Sequence, residues 1–110
     1  MTAKKALNLT PTELVRRRAC GELWRLLDVR ELWEIEIARL ADAVVIPMQE
    51  LPARIAEFDT AEPIAVLCHS GRRSAMVADW LIENEFETVA NVEGGIAAWS
   101  TEIDESIPRY

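Results

Sequence analysis

The run Ile64-Ala65-Val66-Leu67 constrains the fold of this 110-residue chain more than any other segment. A strand with one face in solvent alternates polar and apolar residues, whereas an unbroken apolar run is typical of a strand that is covered on both faces. Pro63 opens the run and Cys68 follows it directly, so the strand is short. The run therefore predicts an inner strand of a parallel sheet.

Short apolar runs alternate with helical patterns along the rest of the chain. In Thr10-Pro11-Thr12-Glu13, a capping threonine, a proline at the first helical position and a glutamate that completes a capping box predict a helix. We expect it to run to about Ala19 and to end at Gly21. Further strands are predicted over residues 23–29, 43–46 and 88–92, and further helices over residues 31–38 and 49–58, from Ser74 onward, and after Gly94-Gly95. This alternation predicts an α/β fold with about five strands in a mainly parallel sheet, covered by helices on both faces.

Composition excludes several classes of protein. The chain has 12 Lys and Arg against 19 Asp and Glu, a net charge of −7, and 50% of its residues are hydrophobic. That apolar fraction is too high for a disordered chain, and no apolar run approaches the roughly 20 residues of a membrane span. An acidic surface argues against a nucleic-acid partner, because phosphates require a basic face. We expect one domain over residues 1–110 and, since no apolar stretch follows Lys4 and Lys5, a cytoplasmic protein without a secretory signal.

The segment Cys68-His69-Ser70-Gly71-Arg72-Arg73-Ser74 joins the most apolar strand to the helix behind it. In parallel sheets, ligands bind beyond the carboxyl ends of the strands. A helix N-terminus and a glycine-containing loop both direct N–H groups at an anion, and two arginines add positive charge. These features lower the pKa of a neighbouring thiol. A cysteine at a strand end is otherwise a small buried hydrophobe, but this setting favours Cys68 as a reactive thiolate.

Three segments together resemble the rhodanese-like family. Leu27-Asp28-Val29-Arg30-Glu31 is similar to a strand-end Asp-x-Arg segment of that family, and residues 68–74 match its active-site loop. The segment Asn91-Val92-Glu93-Gly94-Gly95-Ile96-Ala97-Ala98-Trp99 matches its C-terminal Gly-Gly pair and the helix behind it. The resemblance covers nearly the whole chain and implies a three-layer α/β fold.

What the resemblance implies is sulfur transfer without a metal or organic cofactor. Cys68 would take a sulfane sulfur from thiosulfate or a persulfide donor and pass it to cyanide, a thiol or a partner protein. The N–H groups of residues 69 to 73, including those of His69, Ser70 and Gly71, would hold the transferred sulfur. Arg72 and Arg73 would bind an anionic donor or the group that leaves.

Two other functions stay open on the sequence alone. Related phosphatases and arsenate-reductase-like enzymes use the same kind of thiolate in a loop of seven residues, whereas Cys68 to Arg73 spans six and position 74 is Ser. The shorter loop favours sulfur over phosphate. The fold also serves as a non-catalytic binding or regulatory module when the cysteine is lost, and here Cys68 is present.

Several residues near the loop have supporting roles in this interpretation. We expect Asp28 and Arg30 to hold the loop in place rather than to take part in chemistry. Ser74 is expected to cap the helix. His69 follows the nucleophile directly, but neighbours in an extended loop need not face each other, so a general-base role is the weaker hypothesis.

Two features do not follow from the main interpretation. Cys20 could form a disulfide with Cys68, but nothing brings them together and a reducing compartment disfavours it.

The family often has a Gly-His-Ile-Pro-Gly-Ala stretch where this chain has Ala38-Arg39-Leu40-Ala41-Asp42-Ala43. Arg39 replaces the usual His and Asp42 the second Gly. We expect this segment to alter the surface that a partner meets and to leave the Cys68 loop unaffected.

Overall fold

A computed structural model describes residues 5–110. Its five strands are β1 (Leu7–Leu9), β2 (Arg25–Asp28), β3 (Val44–Val45), β4 (Ile64–Leu67) and β5 (Val89–Val92). Its helices are α1 (Pro11–Ala19), α2 (Leu32–Ile37), α3 (Leu51–Arg54), α4 (Arg72–Glu83) and α5 (Gly95–Glu102). Short 3₁₀ turns flank α3 at Met48–Glu50 and Ile55–Glu57. No helix within residues 5–110 is long and apolar enough to cross a membrane.

The strands form one sheet in the order β1-β5-β4-β2-β3, and every pairing among the described strands is parallel. The α/β prediction with a five-stranded, mainly parallel sheet is confirmed. β4 lies at the centre, with Leu67 opposite Asp28 on one side and Val66 opposite Asn91 on the other. The carboxyl ends of β2, β4 and β5 therefore meet at one edge of the sheet.

Two apolar layers cover the sheet because successive side chains of a strand point to opposite faces. Ala65 and Leu67 of β4 face α1 and α5, whereas Ile64 and Val66 face α3 and α4. All four residues are fully buried, as the unbroken apolar run predicts. Cys68 continues the alternation and packs in the second layer.

Most helix boundaries follow the sequence signals. The Thr10 side chain accepts the N–H of Glu13, and Glu13 accepts the N–H of Thr10, so the predicted capping box is present. The segment expected to be one helix over residues 49–58 is instead broken into the four-residue α3 and its flanking turns. β1 was not predicted, because its three residues form an edge strand that is too short to show a periodicity.

The start of α4 differs from the prediction in a way that matters for the site. The helix begins at Arg72, two residues before Ser74, and Gly71 occupies the N-cap position with a left-handed φ of 97°. The expectation that Ser74 caps the helix is wrong. Ser74 lies in the first helical turn and is fully buried.

Candidate active site

Cys68 lies directly after β4, at the carboxyl edge of the sheet. Only 1% of its surface is exposed, and the residues that follow it curve over the thiol before α4 begins. The N–H of Gly71 donates to Cys68 Sγ at 3.1 Å. The loop thus turns a backbone donor back onto the sulfur, as an anion-binding loop requires.

Gly71 is needed for this turn for two reasons. Its φ of 97° is a conformation that residues with a side chain rarely adopt. A Cβ at this position would also lie 3.0 Å from the backbone nitrogen of Gly94. The loop and the Gly94-Gly95 turn therefore pack backbone against backbone.

The N-terminus of α5 fixes the start of the loop. The N–H of Ile96 donates to the carbonyl of Cys68 at 2.8 Å, and the N–H of Ala97 donates to the carbonyl of His69 at 3.1 Å. Gly95 permits this approach, because a Cβ there would collide with both carbonyl groups. Gly95 was predicted only as part of a turn, and its role in holding the nucleophile loop emerges from the structure.

Ser74 approaches the sulfur from the first turn of α4. Its Oγ lies 3.2 Å from Cys68 Sγ and donates to Asn91 Oδ1 at 2.5 Å. Asn91 Nδ2 in turn donates to Asn8 Oδ1 on the edge strand β1, at 3.1 Å. A polar chain therefore runs from the thiol through Ser74 and Asn91 to Asn8. Asn91 belongs to the segment 91–99 that resembles the family, but its contact with Ser74 could not be predicted from its place in an otherwise apolar strand.

These contacts shift the pKa of Cys68 downward. Burial opposes the shift, since it disfavours the charged thiolate. The hydrogen bond with the Ser74 side chain and those from the backbone N–H groups of Ser74, Gly71 and Ser70 outweigh burial and hold the pKa of the Cys68 thiol below its usual value. The loop therefore favours the nucleophilic form of the sulfur.

The two arginines have different surroundings. Arg73 forms a two-pronged ion pair with Glu34 of α2, at 2.6 and 2.8 Å. This pairing, which outweighs burial, lowers the pKa of Glu34 to about 2. Arg72 is exposed and makes no ion pair among residues 5–110 for which contacts are described. Both arginines were expected to add positive charge beside the thiol; Glu34 offsets the charge of Arg73, which still lines the cleft beside His69.

Asp28 and Arg30 form a buried ion pair, with both side chains fully buried and Arg30 Nη2 2.7 Å from Asp28 Oδ2. Arg30 also donates to the carbonyl of Ala38 at 2.7 Å and to the hydroxyl of Tyr110 at 2.9 Å. The pair therefore ties β2 to the end of α2 and to Tyr110.

Tyr110 connects this pair to the loop. Its hydroxyl donates to Glu34 Oε2 at 2.7 Å, and its ring stacks on His69 with the centroids 4.2 Å apart. Burial and the bond to Glu34 raise the pKa of Tyr110 to about 12, so its hydroxyl keeps its proton at neutral pH. His69 thus faces Tyr110, while Cys68 Sγ has its described hydrogen bonds with Ser74 and Gly71.

The His69–Tyr110 stack borders two clefts at the edge of the sheet. One, of about 580 Å³, is lined by Glu31, Trp33, Glu34, Met48 and Arg73 among others. The other, of about 290 Å³, is lined by residues of α5 and of the C-terminal segment. Both clefts therefore open beside His69 of the loop.

The remaining sequence features lie away from the loop. Asp42 of the atypical segment 38–43 pairs with Arg18 of α1 at 2.6 Å. Cys20 is exposed, and both it and Cys68 are free thiols. No group of three or more His, Cys, Asp or Glu side chains within the described part of the chain could hold a metal ion.

The sequence and the fold were compared with known proteins. The model of the rhodanese-like domain matches residues 10–102. A Staphylococcus aureus rhodanese-like domain protein of known structure superimposes with a TM-score of 0.78 at 31% identity, covering 97% of this chain and 99% of that one.

Curated relatives differ in length. A protein named Rhodanese-like/PpiC domain-containing protein 12, chloroplastic, from Arabidopsis thaliana is 41% identical over 90 residues, but the match covers 78% of this chain and only 30% of the relative. A protein named Sulfurtransferase from Allochromatium vinosum is 33% identical over 87 residues, covering 79% of this chain and 81% of the relative. With the family model matching residues 10–102, the chain belongs to the rhodanese-like domain family, and some of its relatives are named for sulfur transfer.

Proposed function

We propose that this domain moves a sulfane sulfur from thiosulfate or a persulfide donor onto Cys68 and then passes it to a thiophilic acceptor. The observation that carries the proposal is the surroundings of Cys68 Sγ, where the Gly71 N–H donates at 3.1 Å and the Ser74 hydroxyl, at 3.2 Å, can turn its proton to the sulfur once the thiolate forms. Such donors stabilise negative charge on sulfur, both in the attacking thiolate and in the persulfide that replaces it.

The first half-reaction loads the cysteine. The Cys68 thiolate attacks the outer sulfur of thiosulfate, a new sulfur–sulfur bond forms, and the bond to the sulfonate breaks. Sulfite leaves with the electron pair, and Cys68 carries a terminal persulfide sulfur with a negative charge. The new bond adds about 2 Å to the side chain, so the reactive atom extends beyond the nearly buried Sγ.

The second half-reaction transfers the sulfur from Cys68 to the acceptor. The carbon of cyanide, or a thiolate of a small molecule or partner protein, attacks the terminal sulfur. The bond to Cys68 Sγ breaks, the acceptor keeps the transferred sulfur, and Cys68 returns as a thiolate. Because Sγ is buried, the exchange favours donors and acceptors that present the reacting atom at a slender end. We propose the cytoplasm as the compartment, since the cycle needs a reduced Cys68.

The test measures thiocyanate formed from thiosulfate and cyanide, together with the mass of the protein after thiosulfate alone. We expect turnover and the addition of one sulfur atom to Cys68, and we expect both to be lost in Cys68→Ser. The matched control is Cys20→Ser, which removes the exposed thiol and keeps both signals. Phosphate-ester hydrolysis without thiocyanate formation would identify a phosphatase instead, and binding of a partner without turnover would identify a non-catalytic module.

A second arm of the same assay tests whether the donor is anionic. Arg72 is exposed and Arg73 is paired with Glu34, so Arg72 is the arginine available to a donor such as thiosulfate. We expect Arg72→Ala to raise KM for thiosulfate by up to about fivefold, as fits an exposed charge, and to leave KM for a neutral donor unchanged. Arg16→Ala removes an exposed arginine from α1 and controls for net charge. Equal KM changes in the two variants would contradict the role of Arg72.

A further inference from the structure

The hydroxyl of Ser74 lies between two acceptors and has one proton. Ser74 Oγ is 3.2 Å from Cys68 Sγ and 2.5 Å from Asn91 Oδ1, and all three residues are buried. Asn91 Nδ2 donates to Asn8 Oδ1, which leaves the amide oxygen of Asn91 facing Ser74. An amide oxygen only accepts hydrogen bonds, so the short contact takes the Ser74 proton.

This arrangement decides the direction of the bond between Ser74 and the sulfur. With its proton on the side of Asn91, Ser74 Oγ presents a lone pair to Cys68, and the neutral thiol donates to it. A thiolate has no proton to donate. To stabilise the thiolate, Ser74 must turn its proton to the sulfur and give up the bond to Asn91.

We propose that Asn91 is a positioning residue that competes with Cys68 for the Ser74 proton and so limits how readily the thiolate forms. The inference rests on the proposed role of Cys68 as a nucleophile. Asn91 touches neither substrate nor sulfur, and it acts only through the Ser74 hydroxyl. Removal of this competitor is therefore expected to favour the thiolate.

The titratable groups around the loop come from several elements. They are His69 in the loop, Arg72 and Arg73 on α4, Glu34 on α2, the Asp28–Arg30 pair after β2, and Tyr110 at the C-terminus. Neither β5 nor the first turn of α5 adds a charged side chain. Replacement of Asn91 or Ser74 by an uncharged residue leaves all of these charges in place, so we expect differences between such variants to report on the hydroxyl.

The test measures the rate at which iodoacetamide alkylates Cys68 as a function of pH. All variants carry Cys20→Ser, so that Cys68 is the thiol whose alkylation is measured. Asn91→Leu keeps a similar volume and removes the acceptor. We expect it to raise the alkylation rate below the thiol pKa by about fivefold, which corresponds to the loss of one competing hydrogen bond. Ser74→Ala removes the donor, and we expect it to slow alkylation.

The double variant separates competition from a general effect on structure. In the Ser74→Ala background, we expect Asn91→Leu to leave the pH profile unchanged, because no hydroxyl proton remains to be shared. Asn91→Asp is a second variant of the same shape whose carboxylate accepts from Ser74 but also adds a negative charge, so its effect is compared in both backgrounds. We expect it to slow alkylation more in the Ser74 protein than in the Ser74→Ala protein.

Two results would overturn the inference. One is an unchanged or slower rate in Asn91→Leu with the circular dichroism spectrum of the parent. The other is an equal effect of Asn91→Leu with and without Ser74. Alkylation does not require a sulfur donor, so failure of the thiocyanate assay with the expected alkylation profiles would count against the proposed function alone.

Discussion

At the scale of single residues, Arg73 and Glu34 show how a positive charge near the nucleophile can be offset by a partner within the fold. Arg73 lies one position from Arg72 in the sequence, but its Nη1 and Nη2 groups both donate to the carboxylate of Glu34. The carboxylate also accepts the hydroxyl of Tyr110. Arg73 therefore connects α4 to α2, and we expect loss of this pair to lower the free energy of unfolding.

The pair predicts a specific dependence of stability on pH. The pKa of Glu34 is about 2 in the folded protein, below its usual 4.5, because of its bonds to Arg73 and Tyr110. The folded state therefore gains stability from this carboxylate above about pH 4.5, and the gain is lost as pH falls toward 2. We expect the difference in free energy of unfolding between the wild type and Glu34→Gln to shrink by about 1 kcal/mol between pH 7 and pH 3.5.

Urea unfolding at both pH values measures this difference. Glu36→Gln removes an exposed carboxylate from the same helix and reports the effect of net charge alone. A gap between wild type and Glu34→Gln that stays constant over this range would contradict the role of the pair.

At the scale of elements, the N-terminus of α5 determines where the nucleophile lies. Two of its N–H groups bind the carbonyls of Cys68 and His69, so the helix holds the backbone of the loop rather than a substrate. The approach is close enough that Gly95 has no room for a side chain. This contact joins β4 and β5 beyond their last paired residues.

Gly95→Ala tests this contact, and Gly21→Ala is its matched control. Both glycines have a left-handed φ, 62° at Gly95 and 98° at Gly21, but a Cβ at Gly21 meets nothing within 4 Å. Gly21→Ala is expected to cost about 1–2 kcal/mol through backbone strain alone. We expect Gly95→Ala to lower the free energy of unfolding further and to reduce kcat for thiocyanate formation by about tenfold or more, since the loop must shift. Equal behaviour of the two variants in both measurements would show that the contact is unimportant.

The sequence predicted those elements whose signals are local. The capping box of α1, the apolar run of β4 and the Gly94-Gly95 turn each depend on residues close together in the chain. The start of α4 was missed because a glycine in a left-handed conformation can replace a capping side chain. β1 was missed because an edge strand of three residues has too few positions to form a pattern.

The site was predictable to the extent that it is one continuous segment. Cys68 and its loop are recognisable in the sequence, whereas the partners of Ser74 and Arg73 come from other elements. Asn91 is 17 residues from Ser74, and Glu34 is 39 residues from Arg73. Such pairings depend on how the strands are ordered in the sheet, which no local pattern encodes.

At the scale of the whole molecule, Tyr110 joins three parts of the fold. Its hydroxyl accepts from Arg30 and donates to Glu34, while its ring stacks on His69. β2, α2 and the nucleophile loop therefore meet at one residue beyond the last helix. The same ring separates the two clefts that approach the loop.

Two substitutions at Tyr110 separate its contributions. Tyr110→Phe keeps the stack and removes the hydroxyl that Arg30 and Glu34 share, and we expect a loss of about 1–3 kcal/mol of unfolding free energy. Tyr110→Ala also removes the stack, for a further loss of about 0.5–1.5 kcal/mol. Thermal and urea unfolding of the two variants measure both losses of unfolding free energy. Wild-type stability in Tyr110→Phe would mean that water replaces the hydroxyl without cost.

The contact between α5 and the loop also has a consequence for the chain during its synthesis. Ribosomes deliver Cys68 well before Ile96 and Ala97, whose N–H groups hold the loop in shape. Until that last helix has docked, we expect Cys68 to behave as an ordinary cysteine, with no backbone cradle to favour its thiolate. The lowered pKa of the thiol therefore depends on contacts that form only after the chain has been made to Ala97.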